Sequence, residues 1–144
     1  MHFLPILFMS PEYDAAVAIR TAVLRIPLNL EFTEEQLESE SEEFHFGVFS
    51  NEDELLACLT FKLDSKQCLQ MRQVAVKTTF QNTGIGMFMV RQAEVWAKEQ
   101  GFQKIILHAR DSAVPFYLKL AYEIVGEPFI EVNIPHCHMR KNLC

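Results

Sequence analysis

A chain of 144 residues is long enough for one domain with a real core and short for two. Its 49% hydrophobic content excludes intrinsic disorder, and no apolar run approaches the roughly 20 residues that span a bilayer. The net charge of -6 argues against a nucleic-acid binder and suits a cationic or amine substrate as readily as it suits solubility alone.

The N-terminal stretch is apolar but has no basic flank, so residues 2–9 are predicted to form a first strand rather than a signal peptide. From Pro11 to Leu24 the pattern is helical: Ser10 suits the N-cap, Pro11 the first helical position and Glu12 the positive end of the dipole, and Pro27 ends the helix. The glutamate-rich run from Glu31 to Glu43 reads as a solvated surface segment. "FHFGVFS" and "ELLACLTFKLD", separated by "NED", predict a hairpin, and "CLQMRQVAVKT" a third strand of an antiparallel meander.

The periodicity then changes. Ile85, Met89, Ala93 and Trp96 recur on one helical face, and Gly101 sits where a C-cap is expected. "KIILHA" is a short buried strand, "SAVPFYLKLAY" a second helix capped by Asp111 or Ser112, and two β-rich runs close the chain. The strand at Arg72–Val76, the long helix and the strand at Ile105–His108 make a βαβ unit with parallel strands and a right-handed crossover. Cys58, Cys68, Cys137 and Cys144 form no CxxC pair, which points to free thiols in a reducing cytoplasm.

Between that strand and helix lies "QNTGIGM", Gln81 to Met87. Free backbone N–H groups at a helix N-terminus, approached through glycine, make an anion site. No Lys-Ser/Thr pair follows, so this is not a Walker loop, and Met89 occupies the third glycine position of a dinucleotide fingerprint.

Gln81-Asn82-Thr83-Gly84-Ile85-Gly86 resembles the Q/R-x-x-G-x-G/A phosphate loop of the GNAT superfamily of acyl-CoA-dependent N-acyltransferases. The strand end Val74-Ala75-Val76 matches the segment that binds the pantetheine arm there, and "SAVPFYLKLAY" resembles the family's second signature. The resemblance implies one domain over residues 1–144: an α/β (α+β) fold with a mixed, mostly antiparallel sheet of about seven strands, flanking helices and a central parallel pair. It implies acetyl transfer from acetyl-CoA to a small-molecule or peptide amine, with the cofactor on Val74–Val76, Gln81–Met87, Arg110 and Ser112.

Two departures stand out. Ala121 replaces a common glycine, and Arg110 replaces an asparagine, so Arg110 either reaches a phosphate or lies in solvent. Tyr117 occupies the position of the family's general acid. The fourth strand offers Arg72 and Gln73 where many relatives place a carboxylate base, which leaves His45, His136 and its neighbour His138, or a water chain. His136-Cys137-His138 lacks the further ligands of a zinc site, and no metal is expected. Neither nucleic acid nor membrane is an expected partner; a homodimer through terminal strands is compatible with the fold. An acyl-CoA sensor without turnover, or an interaction domain whose glycines only turn the chain, are the other readings.

Overall fold

A computed structural model describes residues 1–28 and 30–143. Its elements run β1 (His2–Ile6), α1 (Pro11–Arg20), α2 (Glu34–Glu38), β2 (Phe44–Phe49), β3 (Leu55–Ser65), β4 (Cys68–Val76), α3 (Ile85–Glu99), β5 (Lys104–Arg110), α4 (Val114–Lys119), β6 (Glu123–Glu131) and β7 (Ile134–Asn142). The seven strands form one mixed sheet in the order β1-β2-β3-β4-β5-β7-β6. Only β4 and β5 are parallel, paired from Cys68 with Lys104 to Met71 with Leu107. That pair is joined through α3, as a parallel crossover requires. Beyond it, Gln73 adopts φ 54 inside β4. A left-handed non-glycine residue within a strand is uncommon, and the pairing of β4 with β5 ends just before it, at Met71.

The chain folds as two compact units, one of residues 1–62 and 73–93, the other of 63–72 and 94–144. In the first, Ile6, Tyr13, Ala16, Ile19, Phe49, Leu55, Cys58 and Ala75 make a buried cluster. In the second, Ile105, Leu107 and Ala109 of β5 and Cys137 and Met139 of β7 are buried. Along β5 these residues alternate with exposed or half-buried neighbours, as the period of two in a strand requires, while in β7 His136 is buried beside Cys137.

Helix α1 begins as its sequence dictates, with Ser10 Oγ accepting from the Tyr13 N–H at 3.1 Å. It ends earlier than Leu24. The chain widens into a π turn over Thr21–Arg25 and tightens into a 3-10 turn over Ile26–Leu28, because Pro27 has no N–H to continue the ladder. The buried face of α3 is Ile85, Met89, Val90, Ala93 and Ala97. Trp96 lies at its margin, half-buried and stacked on Phe102.

The acidic segment is exposed at Glu31, Glu34, Glu35, Glu38 and Glu42 but not at Glu40. Glu40 is 2% exposed and receives Arg20 Nη1 at 2.8 Å and Nη2 at 2.5 Å, with Tyr13 Oη at 3.1 Å. A guanidinium fork against a carboxylate is the arrangement that makes a buried charge tolerable. The β6–β7 connection is short. Val132 and Asn133, both at positive φ, are a two-residue turn, while Gly126 to Pro128 interrupt the ladder as a bulge within β6.

Candidate active site

The first unit carries the loop Gln81–Gly86. After β4, Thr78–Phe80 form one 3-10 turn, Gln81 Nε2 donates to the Val76 carbonyl at 3.1 Å, and Thr83 Oγ1 donates to the Phe80 carbonyl. Gln81 therefore staples the loop to the strand end. Asn82 and Gly84 have φ 62 and 88. A Cβ added at Gly84 would meet nothing within 4 Å, so glycine is needed there for its backbone conformation and leaves open space beside it.

The Gly84 carbonyl accepts from the Phe88 N–H at 3.0 Å, which opens α3 and leaves the N–H groups of Ile85, Gly86 and Met87 without intrahelical acceptors. Helices α1 and α2 carry Glu12 and Asp14, and Glu34 and Glu35, in their first turns; α3 carries no acidic residue there. Its positive dipole end is thus uncompensated by a carboxylate of its own. Lys77, just before the loop, is held by Glu54 at 3.0 Å.

His45, a base candidate from the sequence, is buried in the same unit. Its Nε2 contacts the Glu40 carbonyl at 2.9 Å, and its ring meets Tyr13 edge-on and Phe8 at a tilt. This is a core histidine that ties the segment after α2 to β2, not a group open to a substrate.

The second unit holds the remaining candidates on two faces of its sheet. On one face, Tyr117 of α4 is buried and stands edge-on to Tyr122, at 5.6 Å between ring centroids. Burial raises its pKa well above the ordinary phenol value, so it stays protonated through the neutral range. Tyr122 is raised further, first by burial and then by the Glu94 carboxylate; Tyr122 Oη and Glu94 Oε2 are both buried without a hydrogen bond. Lys141 Nζ joins this group, donating to Glu94 Oε1 at 2.8 Å and to the Leu120 carbonyl at 2.7 Å.

Helix α4 is capped by neither Asp111 nor Ser112. Those residues form a 3-10 turn with Ala113, and Ala113 itself is the N-cap, with no side-chain bond. Ser112 is exposed.

On the opposite face, the register sets His108 of β5 across from His138 of β7, Arg110 across from His136, and Phe129 of β6 across from His136. His136 is 3% exposed. Its Nδ1 contacts the Ile134 carbonyl at 2.9 Å and its Nε2 faces Glu131 Oε2 at 3.5 Å, so neither ring nitrogen is open, contrary to what a base acting directly on an amine would need. Glu131 Oε1 meets His108 Nδ1 at 3.2 Å. Arg110, the expected phosphate contact, is partly buried with Glu131 as its charged neighbour; desolvation lowers its pKa and Glu131 opposes that shift. Glu131 has no recognisable sequence signal, because only the β6–β7 and β5–β7 pairings together bring it to histidines of two other strands.

The sequence model of the acetyltransferase (GNAT) family matches residues 13–122, from within α1 to the turn between α4 and β6. The chain belongs to the GNAT family. It is 30% identical over 128 residues to the uncharacterized N-acetyltransferase YjcF of Bacillus subtilis (strain 168), covering 88% of this chain and 90% of the relative. Among solved structures, an aminoglycoside 6'-N-acetyltransferase complexed with coenzyme A superposes with TM-score 0.80 at 16% identity, covering 100% of this GNAT chain and 98% of that one. A GNAT family acetyltransferase from Elizabethkingia anophelis with acetyl-CoA bound gives TM-score 0.75 at 17% identity, with 98% and 97% covered. These structures establish the shared fold. No helix among the described residues is long and apolar enough to cross a membrane, and no group of three or more His, Cys, Asp or Glu among them could hold a metal ion.

Proposed function

We propose that this GNAT protein, taken as one domain over residues 1–144, transfers an acetyl group from acetyl-CoA to a primary amine by direct attack in a ternary complex. The observation that carries the reading is the start of α3. A glycine in a left-handed conformation with open space beside it leads into three N–H groups without helical acceptors, at a dipole end that lacks any acidic side chain. The pyrophosphate of an acyl-CoA is the anion such a site takes.

The family pattern assigns Val74–Val76 to the pantetheine arm and a backbone N–H there to the thioester carbonyl, where it stabilises the developing oxyanion. The pairing of β4 with β5 runs from Cys68 to Met71, short of this backbone, which supports the assignment. Holding amine and thioester together removes much of the entropic barrier, on the order of 7–11 kcal/mol at best. Tyr117 serves the leaving group. Its phenol stays protonated, and full transfer from even an ordinary phenol to a thiolate is uphill by about 2 kcal/mol. Tyr117 therefore acts by hydrogen-bonding the departing sulfur and supplying its proton late.

The test is calorimetric titration of the folded protein with acetyl-CoA beside a Gly84→Glu/Gly86→Glu variant. The expected result is saturable binding, weakened about a hundredfold in the variant, or about 2.7 kcal/mol. Absence of binding to the unaltered protein overturns the proposal. Arg72 and Gln73 in place of a strand carboxylate favour a second reading, an acyl-CoA sensor without turnover. Thiol release on adding amines decides between them. Tyr117→Phe should lower turnover while acetyl-CoA binding stays intact; unchanged turnover removes Tyr117 from the mechanism.

A further inference from the structure

Resting on the reading of the turn into α3 as an acyl-CoA phosphate site, we propose that Lys77 binds a phosphate of that ligand and that Glu54 holds Lys77 back in the free protein. Between Arg72 and Arg91 the chain carries a single charged side chain, Lys77. Without it, an anion at this turn meets only backbone N–H groups and the dipole end of α3, equivalent to about half an elementary charge. Coenzyme A brings a diphosphate and a 3'-phosphate, far more negative charge than that dipole end offsets. A cation on the same segment is the complement such a ligand calls for.

Lys77 is fixed at the foot of the loop. It is the first residue after β4; its N–H donates to the Leu56 carbonyl at 2.9 Å, and its carbonyl accepts from the Phe80 N–H at 2.8 Å. Gln81 then returns to the strand end, its Nε2 donating to the Val76 carbonyl at 3.1 Å. The loop therefore closes back onto the residue that precedes Lys77, all within the first unit. The backbone of Lys77 is held by these bonds, whereas its side chain, 39% exposed, is a flexible four-carbon stem ending in three donors.

Glu54 takes that ammonium at 3.0 Å. The backbone of Glu54 is itself fixed: its N–H donates to Ser50 Oγ at 3.1 Å and its carbonyl accepts from the Ser50 N–H at 2.8 Å. Its carboxylate is 49% exposed. An ion pair open to water at both ends contributes little to the fold, so exchanging it is easy. A phosphate offers the same ammonium charge-assisted hydrogen bonds to a more highly charged partner, and the exchange runs toward the ligand. Glu54 thus competes with the ligand for Lys77 and lowers the affinity of the site.

The experiment is calorimetric titration at low salt with coenzyme A and with 3'-dephospho-coenzyme A. It compares the unaltered protein with Lys77→Met, Lys77→Arg, Glu54→Gln and the Lys77→Met/Glu54→Gln double variant, each checked for folding by circular dichroism. Lys77→Met should weaken coenzyme A binding about tenfold, Lys77→Arg should restore it to within about threefold, and Glu54→Gln should tighten it about threefold. Opposite signs from the two partners of one ion pair are what a purely structural pair does not give. In the Lys77→Met background Glu54→Gln should lose most of its effect. A Lys77→Met loss seen with coenzyme A alone assigns Lys77 to the 3'-phosphate, and an equal loss with both ligands assigns it to the diphosphate. Lys77→Met within about twofold of the unaltered protein, or weaker binding in Glu54→Gln, overturns this proposal and leaves the transferase reading standing. Absence of binding to the unaltered protein brings down both.

Discussion

Ala121 offers a quantitative test of how the chain fixes α4 and, with it, Tyr117. The helix ends in a Schellman motif: the Tyr122 N–H reaches the Tyr117 carbonyl at 3.0 Å, and the Ala121 N–H reaches the Leu118 carbonyl at 3.0 Å. The residue that makes the turn, Ala121, has φ 70. An L-residue in that conformation is disfavoured by about 1–2 kcal/mol, against which glycine loses roughly 0.5–1 kcal/mol more entropy on folding. Helix α3 ends in the same motif with Gly101 at φ 92, closed by Phe102 N–H to Ala97 and Gly101 N–H to Lys98, each 3.0 Å. Ala121 is exposed, and a Cβ at Gly101 meets nothing within 4 Å, so in both places the change acts through the backbone alone. Ala121→Gly should therefore stabilise the protein by about 0.5–1 kcal/mol and raise Tm by about 3 °C, while Gly101→Ala destabilises it by a similar amount. Urea unfolding followed by circular dichroism, with the slope m checked for constancy, reads both. If Ala121→Gly is neutral or destabilising at unchanged m, the left-handed strain assigned to Ala121 is wrong.

Removing one partner of the Arg20–Glu40 pair should cost about 3–5 kcal/mol, because the other charge is left buried and alone; Arg20→Met with Glu40→Leu together should recover much of that, as measured by the same unfolding curves. Burial pushes the Cys58 thiol from 9.0 up to about 12. Since the folded value is the higher one, the neutral thiol favours the fold below about pH 9 and that contribution disappears as pH rises toward 12, a loss of up to about 4 kcal/mol. In a Cys144→Ser protein this should appear as a steep alkaline fall in Tm, with no native thiol reacting with an aromatic disulfide reagent near pH 7. Val132, a β-branched residue at φ 44 in the two-residue turn, should gain about 1 kcal/mol when replaced by asparagine, which tolerates that conformation. An unchanged unfolding midpoint would show that the turn carries no such strain.

Features governed by neighbours in the chain were legible in the sequence. Ser10 caps α1, Gly101 closes α3, the "NED" turn makes the β2–β3 hairpin, and "QNTGIGM" leads into a helix N-terminus, because each depends on dihedral preferences or hydrogen bonds within a few residues. The acidic run shows where that logic ends. Glu40 has the same local composition as its solvated neighbours, and only packing against Arg20 and Tyr13 buries it.

The free thiols expected at Cys58, Cys68 and Cys137 are buried in the structure, while Cys144 lies outside the described residues. The histidines divided in the same way. One local pattern, an imidazole among apolar residues, produced a core hydrogen bond at His45 and a carboxylate contact at His136. Which it would be depends on the strand that pairs alongside, and strand pairing is not written in either residue's own neighbourhood. Thus the chain by itself determined the family, the order of elements and the glycine turn into α3, which are local or cumulative properties of the sequence. Tertiary structure decided the company of each ionisable side chain. Glu131 meets His108 and His136 only because an antiparallel register carries residues from three separate strands to within reach of one another.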